Sequence, residues 1–325
     1  MRRLGNACIA AIVFGALAGT AGPAHAQWTG ACLPKEGGPT CHFWVGKAKF
    51  IDDGDTIDVR LTTSTGRRKV VRVRMTGIQA MEQYSYSSHP SRRRGECHAV
   101  EATARIEQLT RRAHGLVRLS AQRPGSATGS RLRRWLAVKL HGSWHDVGRR
   151  LLKEGYVLWL PNRIEYAWNA TYGALAQYAA ARGVNLWDPD ACGVGPSAES
   201  PLRLTVNYDA DGNDFLNVNG EWVAIQNLDP VNAVPLAGWW VRDSALRRYR
   251  FPSWAAIPPS GTVRVHVGMG ADTDTSFYWG LDNPAFENAN ANGRGMGDGA
   301  YLFDPQGDLR AWQMYPCRVG ACTGP

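Results

Sequence analysis

The sequence predicts two domains of different class: a mixed α+β domain built around a five-stranded barrel with helices on one side, and then an all-β sandwich. The first half alternates strand periodicity with helical periodicity, whereas the second half has only short apolar runs between turn residues. The charge divides at the same place. Residues 27–195 carry 26 Lys and Arg against 14 Asp and Glu, and residues 196–325 carry 9 against 14. A cationic half favours an anionic partner, with nucleic acid first and an acidic surface second.

Residues 1–26 have the features of an export signal. Arg2 and Arg3 precede an apolar run over about residues 7–18, and Ala24-His25-Ala26 is a small-residue cleavage site. A membrane anchor is the alternative, but the run is short and broken by glycines. No later stretch is long and apolar enough to span a membrane. We therefore expect a secreted, extracytoplasmic mature chain.

The cysteine count agrees with that compartment. Of seven cysteines, Cys8 lies in the signal, and an even number remains, which favours disulfides in an exported protein. Six cysteines allow 15 pairings. A zinc site at Cys97-His98 is the alternative, although no partner pair stands at ligand spacing. The pairing that we predict is Cys32–Cys41, Cys97–Cys192 and Cys317–Cys322.

The first domain is expected over residues 46–192, after a disulfide-closed segment at 27–45. Alternation of apolar and polar residues, or a short apolar run, marks five strands. Apolar residues at helical spacing, each run followed by glycine, mark three helices. The strands are predicted at Lys47–Ile51, Thr56–Leu61, Lys69–Ile78, Leu116–Ala121 and Trp135–Leu140, and the helices follow Cys97 and cover Val147–Glu154 and Tyr166–Arg182.

An acidic turn separates the first two of these strands. It reads Asp-Asp-Gly-Asp-Thr over residues 52–56, and the third strand places Arg72 and Arg74 on one side before the chain reaches Glu82. Carboxylates hold a divalent cation, and a guanidinium grips phosphate oxygens through a planar fork. Carboxylates and guanidiniums on adjacent strands are what a metal-assisted attack on a phosphodiester requires.

The composition and the hydrophobic periodicity of the sequence change after Cys192. Residues 193–204 are predicted as a Gly/Pro/Ser-rich linker, and residues 205–325 as an antiparallel sandwich. The low-complexity segment Glu287–Gly299 is expected to be a flexible loop. The strands are predicted at Trp222–Gln226, Trp239–Arg242, Val263–Val267, Gly299–Phe303 and Arg310–Met314.

The first half resembles the thermonuclease family over about residues 46–191. The resemblance rests on Asp-Gly-Asp-Thr after a strand, the Arg74 to Glu82 spacing, the Leu136-Ala137-Val138 strand, and Pro161-Asn162 followed by a helix and Asn185-Leu186-Trp187. It implies a five-stranded oligonucleotide-binding (OB) fold and a calcium-dependent nuclease that acts on DNA or RNA.

The resemblance also implies roles for individual residues. Gln79 stands where the family has a second metal-binding aspartate, and an amide oxygen carries no charge. We therefore expect weaker calcium binding, a ligand borrowed from Asp52 or Asp53, or a different divalent ion. The implied roles are metal ligation by Asp55, Gln79 and the Ala80 carbonyl, catalysis by Arg74, Glu82 and Arg134, and base stacking by Trp159.

The second half resembles a lamin-tail domain, an immunoglobulin-like sandwich, over about residues 205–316. The resemblance rests on Glu221-Trp222-Val223-Ala224-Ile225, Leu236-Ala237-Gly238-Trp239 and Pro258-Pro259-Ser260-Gly261. It implies an accessory binding role, with a cell-envelope or extracellular ligand as the expected partner. The whole chain is therefore expected to be a secreted nuclease; a non-catalytic protein that binds nucleic acid or the envelope is the alternative.

Overall fold

The computed structural model describes residues 27–33, 38–63, 65–193, 200–320 and 322–324. The predicted signal peptide, residues 1–26, and residues 194–199 of the predicted linker lie outside this part of the chain. No helix among the described residues is both long and apolar enough to cross a bilayer.

The first half contains three α-helices and a set of strands that close on themselves. The helices are α1 (Ala99–Arg112), α2 (Val147–Lys153) and α3 (Asn169–Ala180). The strands are β1 (Trp28–Ala31), β2 (Thr40–Ile51), β3 (Thr56–Thr62), β4 (Arg68–Met75), β5 (Gly77–Gln79), β6 (Gln83–Ser85), β7 (Arg94–Gly95), β8 (Leu116–Ala121), β9 (Ala127–Thr128), β10 (Arg131–Leu140), β11 (Ser143–Asp146) and β12 (Leu158–Leu160).

Five strands form a closed barrel in the order β2-β3-β4-β10-β8, and β8 returns to β2. The β4–β10 pair is parallel, and the other barrel pairs are antiparallel. These strands correspond to the five predicted ones, so the predicted barrel with three helices is confirmed. Alternate residues of each strand point inward, which gives the barrel one apolar core.

Several strand boundaries differ from the prediction, and β10 begins at Arg131 rather than at Trp135. β2 begins at Thr40, because Cys41 and Phe43 are buried and β1 pairs with this extension. The predicted strand Lys69–Ile78 is broken before Gly77, which adopts a φ of +87°. A Cβ on Gly77 would stand 2.6 Å from the Tyr172 ring, so glycine is required where the chain turns away to pair with β12.

The second half contains short strands in two main sheets. The strands are β13 (Leu202–Asn207), β14 (Trp222–Asn227), β15 (Val234–Pro235), β16 (Trp240–Arg242), β17 (Arg248–Arg250), β18 (Ala256–Ile257), β19 (Thr262–His266), β20 (Ser276–Tyr278), β21 (Asp298–Phe303), β22 (Leu309–Tyr315) and β23 (Thr323–Gly324). One sheet has the order β13-β14-β19-β20, and the other β17-β16-β21-β22-β23. Apolar side chains from both sheets form a second core between them.

Two details of this half differ from the prediction. β13 starts at Leu202, inside the segment predicted as linker, since Leu202, Leu204 and Val206 alternate with polar residues and enter the core. β20 pairs with β19 in parallel, so the sandwich is not wholly antiparallel.

The two halves share a core, which the prediction of one core per domain did not include. Every residue of β21 is buried. Ala300 and Leu302 face the sandwich core, whereas Tyr301 and Phe303 join the barrel core. Trp312 packs its ring 5.3 Å from that of Trp187 of the barrel half. The molecule therefore has a barrel, a middle sheet (β17-β16-β21-β22-β23) whose strand β21 is buried on both faces, and an outer sheet (β13-β14-β19-β20).

The three predicted disulfides are present: Cys32–Cys41, Cys97–Cys192 and Cys317–Cys322. His98 lies close to Cys97 and Cys192. Because both thiols are in the disulfide, they are not available as zinc ligands, and the alternative of a zinc site at this position is set aside.

Candidate functional site

The acidic turn between β2 and β3 is fixed by its own hydrogen bonds. The Asp55 N–H donates to the Asp53 carboxylate at 2.9 Å, which is typical turn chemistry for aspartate. Gly54 allows this turn to lie against two neighbours, because a Cβ there would stand 2.6 Å from Ala80 Cβ and 2.7 Å from Ala102 Cβ. The turn is thereby pressed against the segment that follows β5 and against α1.

A chain of four side chains runs along the wall of the adjacent cavity. Arg74 Nη1 lies 2.7 Å from Asp55 Oδ2, and Arg74 Nη2 donates to Gln79 Oε1 at 2.6 Å. Gln79 Nε2 in turn donates to Glu82 Oε1 at 3.1 Å. The structure therefore brings Asp55, Arg74, Gln79 and Glu82 together, as the sequence predicted.

The backbone of Ala80 supports the same group. Its N–H donates to Asp55 Oδ2 at 3.0 Å, and its carbonyl accepts from Gln79 Nε2 at 3.1 Å. Thr56 Oγ1 donates to the other oxygen of Asp55 at 3.0 Å. The carboxylate of Asp55 is thus held on both oxygens, in a position buried from solvent.

Burial dominates the acid–base properties of the two carboxyl groups. It raises the pKa of Asp55 to about 7, against the opposing effect of Arg74. The pKa of Glu82 is also raised, first by burial and then by the negative charges of Asp53 and Glu96. The negative charge of Asp53 therefore contributes to the raised pKa of both Asp55 and Glu82.

This donor set consists of hard oxygen atoms, which suits a divalent cation such as calcium. Two of the predicted metal ligands, Gln79 and the Ala80 carbonyl, already take part in hydrogen bonds. Gln79 Oε1 accepts from Arg74, and the Ala80 carbonyl accepts from Gln79, so both oxygens already have N–H donors. Asp53 and Asp55 also accept hydrogen bonds, from the Asp55 N–H, Arg74, Ala80 and Thr56. They differ from Gln79 in charge, because a carboxylate is negative and an amide is neutral, so Asp53 and Asp55 are the residues that would hold a cation.

The cavity itself has a volume of about 650 Å³ and is strongly charged. Ligand pockets commonly measure about 300–1,000 Å³, so it is large enough for a nucleotide-sized ligand. Its charged lining contains four carboxylates and four guanidiniums among the described residues, namely Asp52, Asp53, Asp55, Glu82, Arg72, Arg74, Arg131 and Arg133.

Arg134 was predicted as the second catalytic arginine, and its position corrects that prediction. Its side chain is buried away from the cavity, stacked 4.6 Å from the Trp44 ring centroid, and it donates to the carbonyls of Pro124, Ser126 and Arg133. Successive side chains of a strand point to opposite faces. On β10, Arg131 and Arg133 therefore reach the cavity, and Arg134 points into the barrel.

Trp159 was predicted to stack a base, and this is also corrected. Its side chain is 0 % exposed and forms part of the barrel core. β12, which carries it, pairs with β5, so only Leu160 and the residues that follow reach the cavity. A core position with no exposed ring face cannot contact a substrate.

The site is connected to the second half through Glu96. One oxygen of this carboxylate accepts from the Glu82 N–H at 3.0 Å, and the other is paired with Arg248 of β17. Arg248 also lies 3.7 Å from the Trp240 ring centroid. Ala245 and Leu246, from the turn between β16 and β17, complete the cavity lining.

Sequence reasoning missed three groups of lining residues. Arg131 and Arg133 are detectable in principle, because they alternate on one strand next to the predicted Arg134. Tyr86 follows β6 in a polar segment without periodicity. Leu246 comes from the other half of the chain, and no sequence signal connects it to the acidic turn.

Comparison with known families supports the assignment of the second half. Residues 196–316 match the family model of the Lamin Tail Domain. This confirms the predicted resemblance and extends it toward the N-terminus. A comparison with curated proteins finds no match for the chain.

Proposed function

We propose that the barrel half is a metal-assisted nuclease that hydrolyses phosphodiester bonds of single-stranded or frayed DNA or RNA in the cavity beside Asp55. The observation that supports this most is the hydrogen-bonded chain from Asp55 through Arg74 and Gln79 to Glu82, in a cavity wall that also presents Arg131 and Arg133. Guanidiniums and a carboxyl group with a raised pKa thus line one cavity, which supports a reaction that needs anion binding and a general base.

Each side chain has a distinct task in this proposal. Arg131 and Arg133 bind phosphate oxygens, and the guanidinium of Arg133 makes no ion pair among the described residues that would compete with a phosphate. Arg74 stays beside Asp55 and positions Gln79. Glu82 accepts the proton of the attacking water. Asp53 and Asp55 would hold the divalent ion, which when bound offsets the charge that develops on the phosphate oxygens.

The test is cleavage of fluorescent single-stranded DNA and RNA oligonucleotides by the mature chain in calcium, magnesium, manganese or EDTA. We expect cleavage only with a divalent ion. Glu82→Gln should reduce the rate by about 10²–10⁴-fold, which is the usual contribution of a general base. Glu101→Gln, an exposed carboxylate on α1, is the matched control and should retain the wild-type rate.

A second candidate function is nucleic-acid binding without cleavage. It is favoured by Gln79, because this amide brings no charge to the cation site and its N–H group donates a hydrogen bond to the Glu82 carboxylate. Oligonucleotide binding with no cleavage in any of the three ions would select it. In that case Gln79→Asp should create divalent-ion-dependent cleavage if the missing carboxylate is the only defect.

A further inference from the structure

The cavity beside Asp55 is built by both halves of the molecule. Most of its lining comes from the barrel half, but Leu246 lies in the turn between β16 and β17 of the Lamin Tail Domain region. Its side chain is 53 % exposed. An exposed leucine is common on protein surfaces, so its position needs a second observation before it indicates a site.

That observation is the set of contacts that hold the turn between β16 and β17 in place. Asp243 is paired with Arg247 at 2.9 Å, and Arg247 also donates to the Pro284 carbonyl at 2.7 Å. The Ser244 N–H donates to Asp298 at 3.0 Å, and the buried Arg242 guanidinium donates to the Ala245 carbonyl. Leu246 is therefore presented to the cavity by a turn that is fixed on both sides.

Tyr86 provides a second exposed apolar surface in the same cavity. It directly follows β6, and the residue is 50 % exposed. Partial burial, and then the negative charges of Asp53 and Glu82, raise the pKa of its hydroxyl. Tyr86 therefore lines the cavity beside the acidic residues, and half of it remains exposed to solvent.

The chemistry of the cavity then separates into two parts. Arg131 and Arg133 suit the phosphate of a nucleotide. Tyr86 and Leu246 suit its base, because aromatic rings stack on the faces of all bases and aliphatic groups cover the other side. Trp159, the aromatic residue predicted for this task, is in the core. Tyr86 and Leu246 are thus two exposed apolar groups that line the same cavity as Arg131 and Arg133.

We propose that Tyr86 and Leu246 form a base clamp, which holds one nucleobase of a single-stranded nucleic acid next to the phosphate site. The Lamin Tail Domain region would then contribute directly to substrate binding. The base clamp rests on the proposed function insofar as it requires a nucleic-acid ligand in this cavity, but it does not require cleavage.

The experiment compares two fluorescent oligonucleotides of equal length, oligothymidylate and the same backbone with abasic spacers, by equilibrium anisotropy in EDTA. Tyr86→Ala and Leu246→Ala should each weaken binding of oligothymidylate by roughly tenfold, which corresponds to about 1.4 kcal/mol, because each removes a contact with the base. Binding of the abasic strand should change less than about twofold by the same reasoning. Tyr86→Phe keeps the ring and should bind like the wild type.

Matched controls are Tyr84→Ala and Leu228→Ala. Tyr84 is 68 % exposed two residues from Tyr86 but does not line the cavity, and Leu228 is an exposed leucine that directly follows β14. Neither should affect either oligonucleotide. Circular dichroism and thermal unfolding verify that each variant is folded.

The base clamp is overturned if the wild type binds both strands equally, if the two variants weaken both strands alike, or if neither strand binds. Base-dependent binding with no cleavage in any divalent ion would instead overturn the proposed hydrolysis and leave the base clamp standing. If the wild type cleaves the oligonucleotides, and Tyr86→Ala and Leu246→Ala bind oligothymidylate as tightly as the wild type, the base clamp is overturned and the proposed hydrolysis stands.

Discussion

Arg133 and Arg134 are neighbours on β10 with opposite surroundings. Arg133 lines the charged cavity, whereas the Arg134 guanidinium is buried on carbonyl groups and over the Trp44 ring. Burial lowers the pKa of Arg134 to about 10, which still leaves it charged at neutral pH. One residue is thus placed to bind an anion, and the other stabilises the barrel.

Substitution of each arginine by alanine separates the two roles. Arg133→Ala should lower the salt dependence of oligonucleotide binding by about one unit in the slope of log K against log salt, because one phosphate contact is lost. Arg134→Ala should reduce the free energy of unfolding by about 2–4 kcal/mol, because it leaves carbonyls without donors and removes packing.

Salt-dependent anisotropy and urea unfolding are the two measurements. A stable Arg134→Ala protein with weakened binding, together with an unaffected Arg133→Ala protein, would restore Arg134 as the phosphate ligand.

Glu221 connects two elements of the sandwich. It directly precedes β14, and its Oε2 accepts from the N–H groups of Ala285 and Phe286 at 2.8 and 3.2 Å. Oε1 is buried without a hydrogen-bond partner among the described residues. Burial raises the pKa of Glu221 to about 7. The folded protein therefore retains a proton at this site that the unfolded chain releases at lower pH.

The consequence is a stability that depends on pH with a defined sign. A raised folded-state pKa contributes stability below the unfolded value, which is lost as pH rises toward 7. Glu221→Gln cannot ionise, so its free energy of unfolding relative to the wild type should increase by about 1–3 kcal/mol between pH 4.5 and pH 7.5. Urea unfolding at both pH values measures this change. The exposed Asp274→Asn is the control, and an equal change in that variant would contradict the assignment to Glu221.

At the scale of elements, the sequence predicts the strands and helices that hydrophobic periodicity and glycine positions determine. The five barrel strands, three helices and their glycine stops follow from local rules. Arg134 could not be placed, because a shift of one residue on a strand reverses the face that a side chain occupies. Trp159 could not be placed either, since burial depends on what packs above a strand. Both failures concern the face of a strand and not its existence.

At the scale of the whole molecule, the shared core was readable but was missed. Residues 300–303, Ala-Tyr-Leu-Phe, are a continuous apolar run, and such runs are typical of strands buried on both faces. An antiparallel sandwich that stood alone would have left one face polar. The run therefore indicates that something packs on the face of the middle sheet that points away from the sandwich interior.

The shared core predicts that the two halves unfold together. Trp312→Ala should lower the free energy of unfolding by about 3–5 kcal/mol, the usual cost of a large-to-small change in a core. Scanning calorimetry should give one transition for the wild type and one, at lower temperature, for the variant. Trp254→Ala is the control, because this tryptophan is exposed on the sandwich. Two transitions, of which only one moves in the variant, would contradict a common core.

The middle sheet also limits how this chain can be recombined. Tyr301, Phe303 and Trp312 face the barrel, while their neighbours Ala300, Leu302 and Ala311 face the sandwich interior. A homologous sandwich spliced onto the barrel would bring a suitable interior but a polar exterior. In a working chimera, the side chains that face the barrel must therefore be introduced into the new sandwich as separate substitutions.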